Sequence, residues 1–177
     1  MDLSIGRLIS SFDEAAARAF EQRGLPYAPE WSKCAKNIAT IDIFNLASID
    51  LFLQYVSSIQ NRSQLIKFRQ LPAHTYDVWL PFDFEPTSEP EISDGHWPVG
   101  LLSSPRLVSE LDEIRRVSDL DLGEVPHEYQ LMRNNHREFY KLDVRLDDRT
   151  LLQWIWKGLR DAAQLSLQHS APVLSLE

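Results

Sequence analysis

The chain has 177 residues, 44% of them hydrophobic and 25% charged. That is enough apolar material for one domain with a sizeable core, and it excludes a chain disordered throughout. The net charge of −8 excludes a basic protein that grips a phosphate backbone, and the single cysteine, Cys34, excludes an internal disulfide and fits a reducing compartment.

The opening Met-Asp-Leu-Ser-Ile-Gly-Arg lacks a basic stretch followed by an apolar one. No run approaches the roughly 18 apolar residues of a membrane span. The expectation is a cytoplasmic protein with no membrane partner, folded as a single domain over 1–177.

In chain order, Leu3, Leu8, Phe12, Ala15, Ala16, Ala19 and Phe20 recur near helical spacing, which predicts helix over 3–23. Ser11 followed by Glu14 could divide it as a capping box. Gly24 is the predicted stop, with Pro26 and Pro29 in the loop beyond. A second helical pattern starts near Glu30 and passes Trp31, Cys34 and Ile38, where β-branched residues make its end ambiguous. Phe44–Ile59 is apolar over more than one face and predicts a central buried helix. Ser63–Arg69 adds a further turn or two.

Tyr76, Val78, Leu80, Phe82 and Phe84 then alternate with Asp77 and Asp83, the period of a half-buried strand. On this reading Leu80 and Phe82 point inward and Asp77 and Asp83 face solvent. Pro81 cannot donate to a ladder, so the strand is at an edge or bent there. A Pro-rich acidic loop follows, then a short strand over 97–102. Ser104 is the predicted N-cap, with Pro105 opening a helix that runs to about Ser118. Residues 128–138 read as helix. Leu142 and Val144 alternate with Asp143 and Arg145 in a strand over 140–146. Asp148 caps a last helix over 149–169, and 173–176 form a terminal strand. The fold expected is α+β: a mainly helical first half packed with a small, largely antiparallel sheet from the second half.

The charge is uneven. Asp77 to Glu128 holds 13 acidic and 3 basic residues, net −10, whereas the rest holds 13 acidic and 15 basic, net +2. Such a segment favours a basic protein partner through electrostatic steering; a merely solvated surface is the bland alternative. Asp83, Glu85, Glu89, Glu91 and Asp94 are the candidate partner-binding residues, with Trp97 as an apolar anchor because Trp is enriched at interface hot spots. Trp79 and Trp154 also sit out of phase with the apolar faces of their elements, although packing against a second layer accounts for each.

No catalytic or metal residues are assigned. The five histidines have no metal-ligand spacing. Cys34, between Lys33 and Lys36, reads as a small core residue rather than a nucleophile. Six glycines form no phosphate cradle, and no cofactor is expected. Arg133, Arg137, Lys141, Arg145 and Arg149 recur every four residues, but the strand over 140–146 interrupts any stripe.

Val-Trp-Leu-Pro-Phe-Asp-Phe at 78–84, Gly-Leu-Leu-Ser-Ser-Pro-Arg-Leu-Val-Ser-Glu-Leu at 100–111 and the Trp-bearing last helix ending in Ser-Ala-Pro-Val-Leu together resemble small bacterial immunity proteins. The resemblance covers the last hundred residues or so. It implies a non-enzymatic, tightly binding inhibitor of a toxin domain; that the partner is a basic protein and that nucleic acid plays no part are expected from the negative charge. Two other readings stay open: a small enzyme that pairs His127 with Asp83 or Glu85 in the fold, and a structural subunit.

Overall fold

The computed structural model describes residues 2–6, 20–21, 23–26, 37–43, 46–63, 70–72, 77–85, 100–127, 129–130 and 146–176. In chain order these contain β1 (Asp2–Ile5), β2 (Ala39–Asp42), α1 (Leu46–Ser63), β3 (Val78–Leu80), β4 (Leu101–Ser103), α2 (Ser104–Val117), α3 (Asp148–His169) and β5 (Val173–Leu176). The strands form one sheet in the order β2-β1-β5-β3-β4. Every pairing is antiparallel except β3 with β4. The α+β class expected from the sequence holds.

The origin of the sheet differs from expectation. Two of its five strands, β1 and β2, come from the half read as helical, and residues 3–5, assigned to a first helix, form part of a strand at the second position of the sheet. Leu3 lies opposite Ile41 and Ser175, and Ile5 opposite Ala39 and Val173. Gly6 then leaves the strand at φ 101, and its amide donates to the Pro172 carbonyl at 2.9 Å. That conformation strains any residue with a Cβ. The predicted stop at Gly24 is correct: φ is +62 there, and Leu25 N–H donates back to Phe20 O at 2.8 Å.

The three helices share one core with the sheet. Leu3, Ile5, Trp79, Leu102 and Val173 from the strands cluster with Phe52 of α1, Leu111 of α2 and Leu159 of α3. α1 is the buried helix predicted over Phe44–Ile59, with Ile49, Phe52, Val56 and Ile59 inside. α3 lies close on β2 and the residue after it: a Cβ at Gly158 would stand 3.4 Å from Ile41 Cγ2 and 2.6 Å from Ile43 Cγ2.

Three buried tryptophans each satisfy the indole N–H on a backbone carbonyl: Trp79 on Gln70 (2.7 Å), Trp154 on Asp42 (2.9 Å) and Trp156 on Leu111 (2.8 Å). This is the usual requirement for a buried indole. Trp79 and Trp154 are therefore core residues. Gln70 also accepts from Ser103 N–H through its side chain at 2.7 Å, so it occupies an amide of edge strand β4.

β3 is shorter than the predicted 76–84 strand and ends before Pro81. All three of its residues are buried, and so is Asp77. The expectation that Asp77 faces solvent is thus incorrect: its amide donates to Ser175 Oγ at 2.8 Å and its carbonyl accepts from Ser175 N–H at 3.0 Å, which draws it in beside β5. Asp83 is exposed and Leu80 buried, as expected, and Phe82 is half-buried.

The N-cap of α2 is Ser103 rather than Ser104. Ser104 begins the helix, and its hydroxyl donates to Ser166 Oγ at 2.9 Å inside the protein. The N-cap of α3 is Asp147 rather than Asp148, accepting from Thr150 N–H at 2.7 Å. The helix predicted over 128–138 and the strand over 140–146 lie almost wholly outside the described residues, as do Cys34 and Arg133–Arg145.

Candidate functional site: an acidic surface around α2

The exposed side of α2 follows from its spacing. Leu107, Leu111 and Ile114 face the core. Arg106, Glu110 and Glu113, at i, i+4 and i+7, then fall on one stripe of the outer surface. Ser109, Asp112 and Arg116 fall on another. α2 has 14 residues and so extends about 20 Å.

Acidic side chains flank both ends. Before its first turn, Asp83 and Glu85 both pair with Arg106, whose guanidinium offers Nε to one carboxylate and Nη1 to the other. Those carboxylates, Asp83 first, hold the Arg106 pKa above its ordinary value. Along the helix, Glu110 accepts from Gln70 N–H at 2.8 Å. Glu113 pairs with Arg116, which keeps the Glu113 carboxyl below its usual range. Asp112 pairs with Arg160 of α3 at 2.9 Å.

Beyond the last turn, Asp119 accepts from Tyr55 O–H at 2.9 Å. Burial is the main cause of the upward shift of that phenol. Asp121 accepts from Gly123 N–H at 3.1 Å, and its carbonyl accepts from Gln153 Nε2 at 2.8 Å. Leu122, fully buried, anchors this acidic loop, which also carries exposed Glu124.

Among the described residues, Asp83, Glu85, Glu110, Asp112, Glu113, Asp119, Asp121 and Glu124 share this part of the surface with Arg23, Arg106, Arg115, Arg116 and Arg160, eight acidic side chains to five basic ones. The surface thus stays negative after its internal pairing. Exposed pairs of this kind hold weakly, so the carboxylates remain able to engage other cations.

Of the sequence-predicted partner residues, Asp83 and Glu85 belong to this surface, while Glu89, Glu91, Asp94 and Trp97 lie outside the described residues. Asp112, Glu113, Asp119, Asp121 and Glu124 were counted in the acidic segment but not singled out. The signal that could have found Glu110 and Glu113 is their helical spacing from Arg106. His127 is exposed, and Asp83 and Glu85 are engaged by Arg106. Among the described residues no group of three or more His, Cys, Asp or Glu could hold a metal ion, and no helix is long and apolar enough to cross a membrane.

Residues 74–175 match the model of a family described as "Putative DNA-mimic protein". No curated protein and no solved structure matches the chain. The family match corrects the partner expected from the sequence. Nucleic acid was excluded because an acidic chain cannot hold a phosphate backbone, and a toxin domain was expected from the resemblance to immunity proteins; a DNA-mimic family overturns that exclusion, because a mimic of DNA stands in for the nucleic acid. The matched segment covers more than half of the chain, and the chain belongs to this DNA-mimic family.

Proposed function

We propose that the chain is a non-catalytic binding protein that occupies the DNA-contacting surface of a DNA-binding protein, its carboxylates taking the place of phosphates. One observation carries this reading. The family segment, 74–175, holds 18 of the 26 acidic and 10 of the 18 basic residues, so it bears the entire net charge of −8 and the remainder is neutral.

The chemistry is shared between the two acceptors. Arginine forks grip carboxylates and phosphates by the same paired N–H donors. Duplex DNA presents about one charge per 1.7 Å of axis. Eight carboxylates along and around a helix about 20 Å long give a line density of the same order. Such a field accelerates association and is weakened by salt.

The test is displacement. Proteins retained by the immobilised chain are eluted with a short duplex DNA. Each eluted protein is then loaded with fluorescent duplex and titrated with the chain while anisotropy is followed. Release by duplex and displacement of duplex, both weakening as salt rises, are expected. Retained proteins that bind no DNA, or that bind the chain and duplex together, would refute the reading.

A further inference from the structure

We infer that Asp83 and Glu85 form a guanidinium seat, held within the chain by Arg106, that an arginine of the partner takes over. The inference rests on the proposed function for its partner class. Its geometry stands independently of that reading.

Arg106 spans both carboxylates, one through Nε and one through Nη1. The planar guanidinium spreads its donors over two acidic groups at once, whereas a lysine ammonium meets them as a compact point charge. The backbone beneath the seat is held without Arg106. Ser103 Oγ donates to Phe82 O at 3.0 Å, and the Phe82 and Phe84 rings meet with centroids 5.9 Å apart. Arg23 lies over the Phe84 ring at 5.1 Å and donates to Glu85 O at 2.5 Å. The stretch 82–85 is therefore anchored by its backbone carbonyls and its aromatic rings, so the backbone that carries both carboxylates stays in place when Arg106 departs.

Departure requires no unfolding. The side chains of Asp83 and Glu85 are 66% and 69% exposed, and that of Arg106 is 33% exposed. An incoming guanidinium reaches the carboxylates from solvent and exchanges one exposed ion pair for another. Arg106 thus acts as an internal competitor. It screens this part of the acidic surface until a cation of matching shape arrives.

The experiment compares Arg106→Ala with Arg116→Ala in the full chain. Both remove one positive charge from α2, but among the described residues Arg116 pairs with its helical neighbour Glu113 alone. Each variant is titrated with fluorescent oligo-arginine and with oligo-lysine of equal length. Far-UV circular dichroism is recorded alongside, and Arg106→Gln, which keeps most of the stem, serves as a second variant. Arg106→Ala should tighten oligo-arginine by about threefold or more, the worth of one exposed pair. Arg116→Ala should tighten it less, oligo-lysine should gain less than oligo-arginine, and adding Asp83→Asn with Glu85→Gln should abolish the gain.

Equal gains in both single variants would reduce the effect to net charge and overturn the seat, as would no gain in Arg106→Ala and Arg106→Gln. The titration needs no DNA-binding partner. Failed duplex displacement with a successful titration would therefore sink the proposed function and leave the seat standing.

Discussion

Leu3 distinguishes most sharply between the fold and the local sequence pattern. As the first residue of a surface helix it would sit in a frayed turn, where truncation costs within about 0.5 kcal/mol. In the fold it is fully buried on β1, between Ile41 on one side and Ser175 on the other, in the main core. Leu3→Ala removes three buried carbons from a site walled by two neighbouring strands, which limits collapse, so the expected cost is about 3 kcal/mol within the 2–5 range for such truncations. For a chain of this length that lowers Tm by about 6–12 °C. The assay is urea unfolding followed by tryptophan fluorescence, with the midpoint read at unchanged slope. Ser4→Pro adds a second reading. Proline is tolerated in the first turn of a helix, but Ser4 pairs with both Thr40 and Leu174, and a proline there removes a ladder hydrogen bond from an interior strand. A loss below about 1 kcal/mol for Leu3→Ala, together with a folded Ser4→Pro, would refute this placement of β1.

Two further outcomes are expected. Tyr129 O–H donates to buried Asp161 at 2.8 Å, beside the Lys157 ion pair, and packs edge-on against Trp154; Tyr129→Phe leaves the ring and removes the donor, costing about 1.5–3 kcal/mol by urea unfolding, and a change under about 0.5 kcal/mol would show that the carboxylate is satisfied without the phenol. Asp147 has its pKa lowered by Thr150 N–H, so its contribution is complete above the unfolded value of about 3.9 and is lost as pH falls through the lower folded value; Tm against pH should fall less steeply below about pH 4 in Asp147→Asn than in the parent, and parallel acid limbs would contradict the capping role.

The legible parts of the fold were those with local causes. α1 was marked by its continuous apolar run. α2 and α3 were marked by facing periodicity and by a capping residue within one position of the true cap. β5 followed the αL cap at Ser170 and Pro172. β1 was misread because its alternation, Asp2-Leu3-Ser4-Ile5, lasts four residues and merges into a helical spacing through Leu8 and Phe12. Its strand state is imposed by β5, which lies about 170 residues further along the chain. Asp77 failed for a related reason: alternation reports facing only where one side of a strand is wet, and around β3 both sides are buried. The candidate site was legible as net charge. The sequence could not show that Arg106 joins Asp83 and Glu85, since nothing local links positions 83 and 106.

The boundaries of the charge and of the core do not coincide, and that bears on how an acidic surface is kept rigid. The segment 74–175 bears all of the net negative charge, and such self-repulsion opposes compactness. Yet β5, which closes that segment, lies between β3 and β1, and β1 comes from the electrically neutral remainder. The neutral part thus supplies interior sheet and buried Leu3 and Ile5 without adding to the repulsion. Within the acidic surface, Arg106, Arg116 and Arg160 cancel repulsion at contact range, where it is strongest. Those pairs leave eight carboxylates against five guanidiniums among the described residues, an excess felt at separations within the Debye length of about 8 Å at physiological salt. Local pairing therefore relieves repulsion at contact range, while the surface as a whole keeps its negative charge. Arginines inside an acidic face are thus compatible with nucleic-acid mimicry, because the carboxylates still outnumber them.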